Sequence, residues 1–385
     1  MEYNNTPYAI RLGQIIKEHR IEQKLTQAEL AWRLQVDERA VRDWEHGRVV
    51  SMRIANRMKL HDVLQIPLKI LGLPDHFTPE GVLELHKRIR SLLERGSYAS
   101  VQEDSDALIE GCIALGNDSL STMPSILARA YYTKGLATAT LTNKSRRALR
   151  LYEQMERAAA ELGDPIGVGI ARTYQGDAYR RLDNYDEAQR FLEEVIGQLT
   201  GGRRPSEMNA LVIGNCHQLL ARVHLAKGER EKTLDALKRA EELAHAATPM
   251  RAHDWYICFC PCSVKEELAK SLMLLNQYQK GFEAIEEAKR LAQDAPARWA
   301  IPITITQGEA IVRYARRADD QLSLKRGLEL LSEGYTLAKK HNHVRQQQRI
   351  SRLTAQWKKN DGFRLASIQE FEEKISRLDR EGRDE

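Results

Sequence analysis

The stretch TQAELAWRLQVDERAVRDWEHG, residues 26–47, predicts two short helices joined by a tight turn. Thr26 can cap the first helix with its hydroxyl, and Glu29 can reach back to the Thr26 amide to complete a capping box. Asp37 suits the N-cap of the second helix, and Gly47 suits the left-handed residue that follows a helix end. The stretch therefore marks its own helix boundaries.

The apolar residues of the two helices fall on one side of each. The predicted buried residues are Ala28, Leu30, Ala31 and Leu34 in the first helix, and Val36, Val41 and Trp44 around the second. Such a pair can hold one helix against the backbone of a DNA duplex and place the other in the major groove.

The segment LTQAELAWRLQVDERAVRDWEHGR, residues 25–48, resembles the helix-turn-helix of the phage-repressor family, also called the Cro/repressor or XRE family. The resemblance covers about residues 8–73 and implies a five-helix, repressor-like head. It also implies an ion pair between Arg20 and Glu45. It assigns a DNA-binding role to Thr26, Gln27, Glu38, Arg39, Arg42, Asp43 and Arg48. Among these, Gln27 is expected at the DNA backbone and Arg48 at a phosphate, with the four residues from 38 to 43 at base edges.

The second helix is unusually acidic for this role. If Glu45 pairs with Arg20 and Asp37 serves as a cap, only Glu38 and Asp43 remain to face DNA, where a carboxylate can accept from a cytosine amino group. Attraction to phosphates is expected from the basic residues between 39 and 59, which are Arg39, Arg42, Arg48, Arg53, Arg57 and Lys59. They outnumber Asp43 and Glu45 by four.

The segment departs from the family pattern at two places. Gln35 stands where the family usually has a turn glycine, and VVSM (49–52) replaces the usual proline-containing link. The alternative interpretation is a helix-turn-helix used only for protein contact.

Beyond LPDHFTPEG (73–81), which is typical of a linker, the sequence becomes repetitive. The clearest copy, YQGDAYRRLDNYDEAQRFLEEVI (174–196), resembles a tetratricopeptide repeat, a pair of antiparallel helices. Its frame puts a small residue where the helices cross, at Gly135, Gly176, Ala221, Ala269 and Gly308, and a partial pair precedes them at about 81–115. The sequence therefore predicts a right-handed α-solenoid with a concave groove.

The repeat frame also assigns residues to that groove. They are Arg129, Tyr132, Thr173, Asp177, Asn215, Gln218, Arg222, Glu266, Lys270 and Glu309. Asn and Gln can satisfy the backbone of an extended peptide, and Arg222 could hold a carboxylate. The alternative is that these side chains are merely solvated.

Other candidate sites are weaker. Cys258, Cys260 and Cys262 alternate in CFCPC, but zinc sites usually need a second cysteine pair, so buried packing of a repeat is favoured over a metal or redox role. His341 and His343 are expected at the surface. The sequence lacks G-x-S-x-G, H-E-x-x-H and phosphate-loop patterns, and neither a catalytic residue, a metal nor a cofactor is predicted.

Composition agrees with a helical protein of more than one domain. The 385 residues are 42% hydrophobic with a net charge of +5, and no apolar run approaches the ~18 residues of a membrane span. Because the N-terminus lacks a secretion pattern and the five cysteines make a poor disulfide framework, we expect a reduced, cytoplasmic protein.

These patterns predict an all-α protein with four parts. They are a helix-turn-helix domain (1–73), a linker (74–80), tetratricopeptide-like repeats (81–362), and a C-terminal helix with a charged tail (363–385). The apolar stripe of that last helix, Ile368, Phe371, Ile375 and Leu378, can cap the last repeat or pair with a second subunit, and capping is favoured.

The combination resembles the peptide-responsive RRNPP regulators of Gram-positive bacteria. That resemblance implies a homodimer, a double-stranded DNA operator and a short peptide or small-molecule effector in the groove. No membrane partner is expected, because the sequence has no long apolar run. Two hypotheses follow: a ligand-gated, sequence-specific transcription factor, or a DNA-tethered protein-interaction scaffold without a small ligand. An enzyme would need a site that the sequence does not contain.

Overall fold

The computed structural model describes residues 7–49, 52, 54–73, 77–115, 122–142, 144–201, 206–246, 257, 259–293, 297–341, 343–360 and 365–381. Within these ranges the protein is all α-helical, with eighteen helices and no strand. The helices are α1 Pro7–Glu22, α2 Gln27–Leu34, α3 Glu38–Glu45, α4 Ile54–Leu64, α5 Pro79–Arg95, α6 Tyr98–Leu115, α7 Met123–Leu141, α8 Ser145–Glu161, α9 Pro165–Arg181, α10 Tyr185–Leu199, α11 Glu207–Ala226, α12 Arg230–Ala246, α13 Pro261–Leu274, α14 Tyr278–Leu291, α15 Ala297–Ala318, α16 Gln321–Lys340, α17 Val344–Asn360 and α18 Leu365–Glu381.

The chain divides into two compact units. The head unit comprises the described residues within 1–88 and 106–127, and the repeat unit comprises those within 89–105 and 128–385. The division does not fall at the predicted linker, of which residues 74–76 lie outside the described ranges. Phe77 is buried in the core of the head unit.

The capping residues of the head unit act as the sequence predicts. Thr26 and Glu29 form the capping box of α2, and the Asp37 carboxylate accepts the Arg39 amide at the start of α3. Gln35 adopts the left-handed conformation, with φ 54° and ψ 49°, so a non-glycine residue does accept this turn geometry. Gly47 is also left-handed, with φ 81°.

The apolar faces of α2 and α3 are buried, with one exception. Leu30, Leu34, Val41 and Trp44 lie in the head core, but the prediction for Ala28 was wrong, because it lies on the exposed side of α2. One methyl group adds too little apolar area to decide which way a helix turns.

The fifth helix of the expected head is reduced to one turn in the described residues of 1–73. The amides of Ile70 and Leu71 both donate to the Pro67 carbonyl, at 2.9 and 3.2 Å, and Gly72 then reverses the chain with φ 69°. A glycine in this conformation ends a helix, so the segment stops after a single turn.

The repeat unit stacks antiparallel helix pairs, and small residues lie where the two helices of a pair cross. A Cβ added to Gly176 would come within 2.9 Å of the Leu192 Cγ atom, and one added to Gly308 within 2.9 Å of the Gly327 carbonyl oxygen. Ala221 and Ala269 are fully buried. The predicted α-solenoid of tetratricopeptide-like pairs is confirmed as a fold class, and its small positions are confirmed as close contacts.

The C-terminal helix α18 covers the end of the stack. Ile368, Phe371 and Ile375 are buried in a core shared with α15, α16 and α17, and Leu378 packs against it. The stripe is thus covered by the chain's own helices, as the capping interpretation predicts. Trp357, on α17, is the largest fully buried side chain of this core.

Gly13 sets the approach of α1 to α3, which supports the first prediction. A Cβ at this position would lie 2.4 Å from the Trp44 carbonyl oxygen and 2.8 Å from the Gly47 amide nitrogen, and backbone atoms cannot rotate away. We expect Gly13→Ala to destabilise the head unit by at least about 1–3 kcal/mol, measured by thermal or urea unfolding.

The matched control is Gly197→Ala in α10, where an added Cβ meets no atom within 4 Å. This change should leave stability unchanged or raise it by up to about 1 kcal/mol, because alanine favours a helix more than glycine does. A Gly13→Ala protein as stable as the wild type would contradict the close packing of α1 on α3.

Candidate functional site

Helix α3 presents a polar face whose side chains reach solvent. Glu38, Arg39, Arg42 and Arg48 are exposed, and Asp43 is half-buried. Arg42 contacts Glu38 at 3.1 Å and Arg48 contacts Asp43 at 3.1 Å. Exposed ion pairs of this kind are weak, so both arginines can exchange their partners for a stronger anion.

The Arg20–Glu45 pair, by contrast, is a buried ion pair inside the head, which we call the buried brace. The Arg20 Nε atom lies 2.5 Å from a Glu45 carboxylate oxygen, and the Glu45 side chain is only 2% exposed. The Gln27 side-chain amide donates to the other Glu45 oxygen at 2.7 Å, and an Arg20 nitrogen donates to the Leu25 carbonyl at 2.7 Å. The pairing is confirmed, and Glu45 is therefore not part of the polar surface of α3.

Gln27 also makes a contact within the head that was not predicted, the hydrogen bond to Glu45. Its amide nitrogen is used by Glu45 in this state, so a DNA contact by Gln27 would have to use the amide oxygen or replace that bond. Thr26 is exposed, but its hydroxyl is engaged in the capping box with Glu29.

Two of the basic residues between 39 and 59 form hydrogen bonds with backbone carbonyls of the head. Arg57 donates to the Leu71 carbonyl at 2.9 Å, and Lys59 donates to the Leu34 carbonyl at 2.8 Å, at the end of α2. Arg53 lies outside the described residues. Among the described basic residues between 39 and 59, the exposed ones are therefore Arg39, Arg42 and Arg48.

In the repeat unit, the first helices of successive pairs surround three cavities, of about 580, 160 and 310 Å³. We call these three cavities together the inner groove. Its walls include side chains of α9, α11, α13, α15 and α17, and Arg345 of α17 lines all three cavities.

The structure brings most of the predicted groove residues to these walls. The ones that line a cavity are Asp177, Asn215, Gln218, Arg222, Glu266, Lys270 and Glu309. Arg129, Tyr132 and Thr173 line none of the three. Tyr132 is 1% exposed and donates to the Tyr174 hydroxyl at 3.0 Å, while the Thr173 hydroxyl donates to the Gly169 carbonyl at 2.7 Å.

Charged groups of the groove form ion pairs. Asp177 accepts from Arg180 and Arg181, both at 2.7 Å, and Glu267 accepts from Arg222 at 2.7 Å. Burial alone would raise the pKa of the Asp177 carboxyl, but the charges of Arg181 and Arg180 outweigh it and hold that pKa well below its usual value. Arg222, which the sequence offered as a carboxylate binder, is therefore already occupied by Glu267.

The side-chain amides of Gln218 and Asn215 differ in whether they form hydrogen bonds within the protein. The Gln218 amide nitrogen donates to the Ser263 carbonyl at 3.0 Å. Asn215 is only 5% exposed and lines the 160 Å³ cavity, yet its side chain makes no hydrogen bond to any residue that the structure describes. A nearly buried amide of this kind needs a partner from water or from a ligand.

Helix α17 contributes groove residues that were not among those predicted from the sequence. Arg345, Arg349 and Arg352 point into the groove from one face of this helix. Their spacing of four and three residues, which places them on one helix face, is present in VRQQQRISRLTAQWKKN. The predicted repeat positions, however, extend only as far as Gly308. The prediction that His343 lies at the surface was also wrong, since it is buried with its ring 5.5 Å from that of Tyr98.

The described cysteines of CFCPC support packing, and Cys258 lies outside the described residues. Cys262 is buried and Cys260 packs against the same small cluster, at the start of α13, with their Sγ atoms 3.0 Å apart. Among the residues that the structure describes, no three His, Cys, Asp or Glu side chains are grouped as a metal would require. No helix in those same ranges is long and apolar enough to cross a membrane.

Comparison with known proteins identifies similar folds but no sequence relative. No protein-family model and no curated protein matches the sequence. A Rap protein complexed with Competence and Sporulation Factor is similar in structure, with a TM-score of 0.48, 10% identity, and coverage of 96% of this chain and 98% of that one.

Two further solved structures are similar to this chain. Bacillus thuringiensis PlcR, in complex with the peptide PapR7 and DNA, has a TM-score of 0.41, 13% identity and coverage of 74% of this chain and 94% of that one. The apo form of the competence regulator ComR from Streptococcus vestibularis has a TM-score of 0.34, 11% identity and coverage of 82% and 99%. The likeness is one of helix arrangement.

The buried brace of the head supports a second prediction. We expect Glu45→Gln to destabilise the head unit by about 3–5 kcal/mol, because the Arg20 guanidinium keeps its charge in a buried place without a counterion. Glu38→Gln, which removes the carboxylate of an exposed pair, should change stability by less than about 0.5 kcal/mol. Equal stability of the two variants in urea unfolding would contradict the brace.

The same pair has a defined pH dependence. Although burial raises the pKa of Glu45, the hydrogen bonds from Arg20 and Gln27 outweigh it and lower that pKa. The stabilisation is therefore present above the ordinary glutamate pKa of about 4.3 and is lost as the pH falls through the lower, folded-state value. The stability difference between wild type and Glu45→Gln should shrink in that acidic range.

Proposed function

We propose that this protein is a sequence-specific, DNA-binding transcriptional regulator whose inner groove binds a short peptide or another small ligand that modulates operator binding. The observation that carries the proposal is the polar face of α3. Arg39 and Arg42 stand exposed on a helix whose start is capped by Asp37 and whose opposite side is fixed in the head core through Val41 and Trp44. A helix held in this way can present guanidinium groups to guanine edges without first being ordered.

The acidic side chains of α3 are compatible with this proposal. Asp37 is a cap, Glu45 is internal, and Glu38 and Asp43 are held in weak pairs by the arginines expected to contact DNA. On binding, a phosphate or guanine would take the arginine, and the released carboxylate could accept from a cytosine amino group. Discrimination between sequences would then come from both signs of charge.

Regulation would come from the inner groove. We propose that the protein acts as a homodimer, because two heads about one helical turn apart can read a palindromic operator. A ligand that prefers one arrangement of the stacked repeats would shift the population of dimers whose heads match that spacing. The amide of Asn215, buried and without a described partner, is a suitable contact for a peptide group.

A scaffold is the alternative function, in which the repeats bind a partner protein and the head tethers it to DNA. The stack of repeats favours it, since such stacks offer long protein-binding surfaces. Selection of a DNA target from random duplexes, combined with mass spectrometry of small molecules retained by the purified protein, separates the two. A retained peptide that alters operator binding supports the regulator, while operator binding that no peptide changes, with a co-purifying protein, supports the scaffold.

The third prediction concerns operator recognition. Arg42→Ala should weaken binding to the selected operator by at least about 1–3 kcal/mol, the usual value of a bidentate base contact, while circular dichroism and the melting temperature remain those of the wild type. Arg190→Ala, which removes an exposed arginine from α10, is the matched control and should leave the operator footprint unchanged. An unaltered footprint with Arg42→Ala would argue against α3 as the recognition helix.

The fourth prediction concerns the groove. Asn215→Ala should weaken binding of the retained ligand about fivefold, the value of one hydrogen bond, without lowering the melting temperature, because no described residue loses a partner. Asn209→Ala, in the same helix but outside the three cavities, is the control for ligand affinity; it removes the hydrogen bond from Asn209 to the Leu199 carbonyl and so is not a control for the melting temperature. Full ligand affinity in Asn215→Ala, measured by calorimetry, would place the ligand elsewhere.

A further inference from the structure

Helix α17 has an apolar and a basic side. Ile350 and Trp357 are buried in the core of the last repeats, and Arg345, Arg349 and Arg352 line the inner groove. Leu353 belongs to that core and also reaches the wall of the 580 Å³ cavity. The basic side is therefore held in place by the packing of the apolar side.

The three arginines differ in the hydrogen bonds and ion pairs that they form. Arg349 donates to Thr306 at 3.0 Å and to Glu309 at 2.8 Å. Among the described residues, Arg352 donates only to the backbone carbonyl of Gln348, at 3.2 Å. Arg345 makes no hydrogen bond or ion pair with any residue in the described part of the chain.

The groups that face Arg345 are mainly of its own charge. Arg181, Arg222 and Arg180 repel it, and Asp177 attracts it. Asp177 is already shared by Arg180 and Arg181, and Arg222 is paired with Glu267. The charge of Arg181, followed by burial, lowers the pKa of Arg345 below the usual arginine value, as expected for a buried cation among like charges.

The 310 Å³ cavity is lined by more positive than negative side chains, although Arg180 and Arg181 share the carboxylate of Asp177 behind its wall. Its walls contain four guanidinium groups, from Arg180, Arg181, Arg345 and Arg352, against the single carboxylate of Asp183. The Asp183 carboxylate accepts the Tyr185 hydroxyl at 2.8 Å. Guanidinium groups from two helices thus surround one space, and such groups bind carboxylate and phosphate oxygens through paired hydrogen bonds.

We propose that α17 and α9 together form an anion-binding site in this cavity, which takes a carboxylate or phosphate group of the ligand between Arg345 and Arg352 on one side and Arg180 and Arg181 on the other. The inference rests on the proposed function only in treating the inner groove as the ligand site. An anion in this position replaces repulsion between the two helices with attraction to a shared partner, so its binding draws α17 towards α9.

The experiment measures thermal unfolding of the full chain with three probes. They are sodium pyrophosphate, N-acetyl-trialanine with a free carboxylate, and its C-terminal amide, with sodium chloride at matched ionic strength as the blank. We expect a saturable rise in melting temperature with pyrophosphate or with the free acid, and none with the amide. The response to the first two probes decides between a phosphate and a carboxylate.

The variants separate binding from structure. Arg345→Gln/Arg352→Gln should weaken probe binding about tenfold or more, yet melt no lower than the wild type without the probe, because repulsion is relieved. Arg190→Gln/Arg239→Gln removes two exposed arginines, each of which pairs with a carboxylate of its own helix, and should keep the full rise in melting temperature with the probe. If the glutamine variant does not fold, Arg345→Lys/Arg352→Lys keeps both charges and should fold, but should bind the probe more weakly because the planar fork is lost.

Two results would overturn the proposal: no probe raises the wild-type melting temperature above the chloride blank, or the α17 variants respond as fully as the control. Operator binding is measured separately by mobility shift. If the probes fail while the operator is still bound, the anion site alone is refuted. If the probes bind as expected while no operator emerges from the selection, the proposed function alone is refuted.

Discussion

The need to give each buried charge a partner governs both units of this protein. A guanidinium taken out of water is costly unless a carboxylate or carbonyl replaces the lost hydration. In the head, Arg20 meets this condition through Glu45 and the Leu25 carbonyl. In the repeat unit, Arg222 meets it through Glu267, and Arg345 does not meet it with any residue that the structure describes. The anion site proposed above rests on this one exception.

The local features of the head could be predicted because they depend on neighbouring residues. The capping box of Thr26 and Glu29, the Asp37 cap and the reversal at Gly47 each involve residues no more than a few positions apart. The Arg20–Glu45 pair spans 25 positions, and it could be predicted only from the resemblance to the repressor family. The error at Ala28 came from assigning a weakly apolar residue by spacing alone.

The groove could be predicted only in part. The spacing of small residues located the first helices of the pairs, and seven of ten assigned residues line the cavities. Tyr132 and Thr173 instead fill helix contacts, because the same helix face that lines a cavity at one level packs against a neighbour at another. The ion pair between Arg222 and Glu267 joins residues 45 positions apart, and a single sequence does not specify which of several charged neighbours will meet.

The covering of the last repeat by α18 has a consequence for how such an array can change in length. The apolar side of α18 is used up by its contacts with α15, α16 and α17, so a helix pair stacked on its other side would have to bury charged side chains. A change in the number of repeats would more readily occur by duplication or deletion of internal helix pairs, with α18 kept as the helix that covers the last pair.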